Sequence, residues 1–216
     1  MTTITIDPVA TAGLVAREIR SGERDGAPTK IAVARRAYAT DRADLWDAVT
    51  SAARIPRWFL PVSGDLTVGG RYQLEGNAGG TVERCDAPAS FAVTWEFGGS
   101  VSWLTVALTE DGDGTVLELV HEAVVPQELW DQYGPGATGV GWDLGLMGLG
   151  LHVADPTGAI DPRAAEAWSL SPEGVTFSRL AAAGWADAAI ADGDDPVAAR
   201  AAAERTVAFY TTVPEA

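Results

Sequence analysis

The sequence predicts an α+β fold around one core, and three observations carry that reading. From Leu66 to Val125 the hydrophobic period is two, the signature of strands. Two short segments with helical spacing precede that stretch, and an apolar helical segment with an alanine-rich tail follows it. Strands grouped together, with helices gathered before and after rather than alternating with them, argue for an antiparallel sheet. With 216 residues, 47% hydrophobic and eight of them tryptophan, the chain can bury a core without a metal or disulfide staple.

The elements follow in order. LVAREIRSGERDGAPTKIAVARRAYA reads as two strands around an Asp25-Gly26 turn. Ile31, Val33 and Arg35 alternate with Ala32, Ala34 and Arg36, so one face of the second strand is wetter than the other. In DRADLWDAVTSAARIPRWFL, Asp41 is placed to cap a helix carrying Leu45, Trp46 and Val49. Pro56 opens a second helical turn that Pro61 closes. Five strand candidates come next: LTVGGRYQLEG, GGTVERCD, SFAVTWEF, VSWLTVALTE and TVLELVHEAVV. Turns at Asp86-Ala87-Pro88, Gly98-Gly99 and Asp111-Gly112-Asp113-Gly114 separate the last four.

QELWDQYGPGATGVG reads as a loop and WDLGLMGLGLHV as a helix, because Leu144, Met147 and Leu151 keep helical spacing. Gly145, Gly148 and Gly150 each weaken such a helix by roughly 1 kcal/mol relative to alanine. Close packing by the sheet or by a bound molecule would compensate. Beyond Asp155-Pro156, helix starts at Ser171-Pro172-Glu173 and Asp195-Pro196 predict an α-hairpin packed on the body. The expected division is residues 1–154, hairpin included, with 155–216 as a helical extension.

Charge narrows the partners. The formal net charge is −15, Lys30 is the only lysine, and no Lys or Arg lies between Arg84 and Arg163, where twelve Asp and Glu do. Such a surface repels phosphate backbones and anionic lipid, so neither nucleic acid nor membrane is an expected partner. The apolar stretch from Val140 to Ala154 is too short and too interrupted to span a bilayer. Cys85 is the only cysteine, and the N-terminus lacks the basic start and apolar run of a signal peptide. A cytoplasmic protein is the expectation, and a homodimer is compatible with it.

Chemical motifs are sparse. Two histidines fall short of a zinc ligand set, and HExxH, CxxC, GxSxG, P-loop and dinucleotide signatures are absent, so no metal and no cofactor is expected. His121 shares a strand face with Leu117 and Leu119, where it could orient a ligand or shuttle a proton. The simpler reading is a hydrogen-bonded core histidine. Glu96, Glu118 and Glu122 would serve as acid or base only if they faced a dry cavity, and alternation sets Glu118 and Glu122 opposite His121. His121 and Glu96 are the weak catalytic candidates. Cys85 beside Arg84 reads as packing.

The order of elements, together with DLWDAVTSAARIPRWFLP, GGRYQLEG, GGTVERCDAPASFAVTWEF and GTVLELVHEA, resembles the START-like helix-grip (SRPBCC) superfamily. Within it the chain is similar to bacterial relatives of the C-terminal domain of the heat-shock-protein-ninety ATPase activator. The resemblance spans roughly Lys30 to His152. It implies a curved antiparallel sheet wrapped around a C-terminal helix, with a cavity between them. In that frame Trp58, Phe59, Tyr72, Trp95, Trp103, His121, Trp142 and Leu146 are the expected ligand-binding residues. The leading functional expectation is binding of a small, largely apolar molecule, aromatic or lipid-like. The alternatives are a metal-free cyclase or hydrolase using the same cavity, and a co-chaperone-like protein-interaction module; the fold itself does not choose among them.

Overall fold

Eight strands pair in one antiparallel sheet of order β1-β2-β8-β7-β6-β5-β4-β3. The computed structural model describes residues 6–212. In chain order the elements are α1 (Pro8–Gly13), β1 (Ala16–Arg24), β2 (Ala27–Tyr38), α2 (Arg42–Thr50), a 3-10 turn (Ile55–Arg57), β3 (Val62–Gly64), β4 (Arg71–Leu74), β5 (Gly79–Asp86), β6 (Ser90–Phe97), β7 (Ser100–Asp111) and β8 (Gly114–Ala123). They continue with α3 (Gln127–Tyr133), α4 (Gly136–Ala154), α5 (Pro162–Ser169), α6 (Pro172–Ala191) and α7 (Pro196–Thr211).

Local chemistry explains most of these boundaries. Asp25 and Gly26 both take positive φ (52° and 81°), which a two-residue hairpin between right-twisted strands requires. The Asp41 carboxylate accepts from the Asp44 amide at 2.8 Å, and Ser171 and Asp195 cap α6 and α7 in the same way. Three readings are corrected. Residues 127–141 are not a loop: Pro126 starts α3, and α4 begins at Gly136. The strand expected across 66–76 is confined to β4, with the short β3 pairing beside it. The α1 and α5 helices had no counterpart in the sequence reading, since each is too short to show a hydrophobic period.

The α4 helix runs through the middle of the molecule. One side meets the sheet in a core cluster that includes Leu104, Leu119, Leu146 and Leu149. The other side meets α1, α6 and α7 in a second cluster around Val140, Met147, Phe177 and Val207. Burial on all sides is why its apolar residues show no single stripe. It is also why the helix tolerates so many glycines: neighbours approach its backbone from different directions. A Cβ at Gly139 would lie 2.4 Å from the Trp185 indole, one at Gly148 would lie 2.5 Å from the Trp58 carbonyl oxygen, and one at Gly150 would lie 2.3 Å from the Arg36 guanidinium. Gly145 differs, because its Cβ would make only ordinary contact with Phe59 at 3.4 Å.

These distances give opposite signs for the same substitution. Helix propensity favours Gly145→Ala by up to about 1 kcal/mol, with nothing to oppose it. Gly139→Ala should instead destabilise by about 1–3 kcal/mol, because the fully buried Trp185 cannot retreat. Urea denaturation of the two variants checks this, and a shared sign would refute it.

The helical extension is anchored by a buried ion pair. Arg17 of β1 donates to Asp143 of α4 at 3.0 Å, and the Trp185 indole of α6 donates to the same carboxylate oxygen at 3.0 Å. The remaining Arg17 nitrogens donate to the Val15 and Ala12 carbonyls, while Asp143 Oδ1 is buried without a partner among the described residues. Near the surface, Lys30 reaches Asp192 and Asp194 in the α6–α7 turn, and Trp130 donates to Asp194.

Candidate functional site

Between the sheet, α2 and α4 lies a cavity of about 180 Å³. The α2 helix and the following turn contribute Val49, Ile55, Trp58 and Phe59; β4 to β8 contribute a floor of alternate residues; α4 contributes Trp142, Gly145, Leu146 and Leu149. The floor follows from strand geometry, since residues two apart share a face. Phe91, Val93 and Trp95 therefore look in from β6, Leu104 and Val106 from β7, and Leu117 and Leu119 from β8. Three aromatic rings form a corner. Trp95 meets Trp142 edge-on, with centroids 5.0 Å apart and planes at 62°, and Phe59 lies near-parallel to Trp142 at 6.4 Å and 19°.

Three polar side-chain groups of the lining are bound to protein rather than offered to a guest. Tyr72 donates its hydroxyl to the Thr94 carbonyl at 2.8 Å, the Trp58 indole donates to the Ala48 carbonyl at 3.0 Å, and Thr50 donates to the Trp46 carbonyl at 2.7 Å. Among the described residues that line the cavity there is no Lys, Arg, Asp, Glu or His. An unpaired charge brought into such a space would lose its hydration without replacement.

His121 stands behind the wall. Trp142 donates its indole N–H to His121 Nδ1 at 3.0 Å, and Nε2 lies 2.7 Å from Ser102 Oγ. An indole nitrogen can only donate, so Nδ1 is the acceptor and the ring proton sits on Nε2, directed at Ser102. Ser102 in turn donates to the Trp95 carbonyl at 3.1 Å. Both imidazole nitrogens are thereby occupied, and burial pushes the ring pKa down from 6.5 to about 4. This relay holds Trp142 in place and leaves His121 no nitrogen with which to act on a bound molecule.

Of the expected binding residues, Trp58, Phe59, Tyr72, Trp95, Trp142 and Leu146 line the cavity. The structure corrects the other two. His121 is one layer back, as described. Trp103 is on the opposite face of β7, paired across the ladder with Glu122 and covered by Arg24 at 4.1 Å from the ring centroid. Glu96 is corrected as a catalytic candidate as well. It faces outward, where Arg71 donates to it at 2.8 Å and holds its carboxyl below the usual carboxylate range. Glu118 and Glu122 pair with Arg35 and Arg24 on the same outer face.

Cys85 is one of the lining residues that sequence reasoning missed. Val82 and Cys85 differ by three, so simple alternation sends them to opposite faces. A bulge between Val82 and Arg84 adds one unpaired residue, resets the parity and seats Cys85 opposite Phe91. The thiol is exposed and borders the cavity, which places an opening at that end of β5. No single-sequence signal marks this bulge.

A curved antiparallel sheet wrapped around α4, with the cavity between them, is the START-like helix-grip fold. Residues 39–152 match the model of the activator of Hsp90 ATPase homolog 1-like proteins, and the chain belongs to that family. Its fold is similar to that of CalU16 from Micromonospora echinospora, at 28% identity over 83% of this chain. The crystal form of CalU16 gives a TM-score of 0.64 with 99% of that chain covered, and the solution form gives 0.68 with 97% covered. That share exceeds what residues 1–152 could supply, so the likeness reaches into the helical extension. Protein MLL2253 from Mesorhizobium loti shares the fold at 21% identity and a TM-score of 0.52, over 59% of this chain and 98% of its own. No curated protein matches the chain.

Proposed function

We propose that the chain binds a small, largely apolar molecule in the cavity between the sheet and α4. The observation that carries this reading is an aromatic-walled space of about 180 Å³ with no charged side chain among its described lining residues and with Tyr72, Trp58 and Trp142 already hydrogen-bonded within the protein. An engineered apolar cavity of about 150 Å³ stays dry and takes up benzene, so a void of this size and character is suited to a guest rather than to water. A catalytic site would need at least two polar groups converging on the reacting atoms. The bonding of His121 and the outward direction of Glu96 favour binding over reaction.

Native mass spectrometry of freshly purified protein tests the proposal by detecting a copurified molecule. Trp95→Ala, which removes one wall, should weaken retention of that molecule at least tenfold. Cys85 provides an independent readout at the opening: occupancy of the cavity should slow its alkylation. Retention and alkylation rates unchanged in Trp95→Ala would place any binding elsewhere.

A further inference from the structure

Resting on that reading, we infer the chemical class of the guest: a flat, uncharged aromatic of about two fused rings. Size sets the first limit. A cavity of about 150 Å³ accepts one benzene ring, and this one, at about 180 Å³, has room for little more than a second fused ring. Drug-sized pockets run from about 300 Å³ upward, so a long acyl chain or a four-ring skeleton would extend out of this space past Cys85.

Charge sets the second limit. No Lys or Arg is among the described lining residues, and the Arg54 and Arg71 guanidiniums bond to Asp44 and His152 and to Glu96. A carboxylate or phosphate entering the cavity would meet mainly apolar carbon. A cation would meet no carboxylate, because Glu96 faces outward and Asp143 is bound to Arg17 on the far side of α4.

Shape sets the third. Trp95 and Trp142 meet at 62°, so a flat guest stacked on one ring presents its edge to the other. Stacked and edge-on contacts are the two favoured arrangements of aromatic pairs, and this corner supplies both at once. A flexible chain fills the same space without either contact and loses its rotamer freedom on entry.

Isothermal titration with three probes at pH 7.5 separates these limits: naphthalene, 1-naphthoate, and decan-1-ol as an uncharged chain. Naphthalene should bind. Naphthoate should bind at least about 100-fold more weakly, because its charge would go unpaired. Decanol should be at least about tenfold weaker than naphthalene. Naphthoate within tenfold of naphthalene would overturn the uncharged class, and decanol at equal affinity would overturn the aromatic class, each leaving cavity binding intact. Failure of all three probes would overturn the cavity-binding reading itself. Val93→Phe adds volume inside the cavity and should abolish naphthalene binding while the fold persists. Undiminished binding by that variant would put naphthalene outside this site and overturn the assignment.

Discussion

Asp143→Ala should lower stability by about 3–5 kcal/mol, among the largest effects of any single side chain in this protein. The pair it breaks is almost dry, with Asp143 0% and Arg17 9% exposed at the side chain. Removing one partner of a buried pair leaves the other as an uncompensated charge, which is the source of the cost. Trp185 also loses its acceptor. Because the pair joins β1, α4 and α6, the loss should appear as undocking of α6, seen in amide exchange along residues 172–191 before the sheet opens. The double variant Arg17→Met/Asp143→Leu should recover most of the stability, since it buries no orphan charge. A double variant as unstable as Asp143→Ala would show that packing, not charge, sets the penalty.

Acid titration reads His121. Burial depresses its folded pKa, so the unfolded chain is protonated first, and stability is lost as pH falls from 6.5 towards about 4. Urea titrations of the wild type and of His121→Gln should differ in slope across that window. Parallel curves would refute a contribution from the imidazole.

Trp142→Ala is the second large effect, expected to cost about 3–5 kcal/mol, as is usual for deleting a buried indole. It also removes the cavity wall that α4 supplies and opens His121 to the enlarged space. The imidazole pKa should then rise from about 4 towards its ordinary value, as followed by the ring proton shifts in NMR. Trp142→Phe keeps a ring in place but loses the donor to Nδ1, so it should retain more stability than alanine. An imidazole pKa that stays near 4 in Trp142→Ala would mean that the indole contributes nothing to the burial of the ring.

The strands, turns and helix starts were legible because they rest on period and punctuation: alternation along Phe91, Val93 and Trp95, the Asp25-Gly26 turn, and the caps at Asp41, Ser171 and Asp195; the helix grip came from the family resemblance. The α4 glycines were legible as a problem and not as an answer. Sequence shows that something must approach the helix closely, but Trp185, Trp58 and Arg36 reach it from elements far apart in the chain. For the site, side-chain type and the family resemblance pointed to the aromatic wall. Trp103 lies outside the cavity because a half-buried outer face carries an aromatic ring as readily as an inner one does. His121 was assigned to the correct face, but its depth behind Trp142 depends on how α4 packs, and strand alternation carries no information on that.

The bulge in β5 decides which sign of charge the cavity presents. Continued strictly from Val82, the pleat would have turned the Arg84 guanidinium inward and made the hollow a receptor for anions. One residue of slack in the hydrogen-bond ladder instead leaves that cation in water and brings a neutral thiol to the threshold. The proposed preference for uncharged guests therefore rests on backbone register as much as on the side chains present.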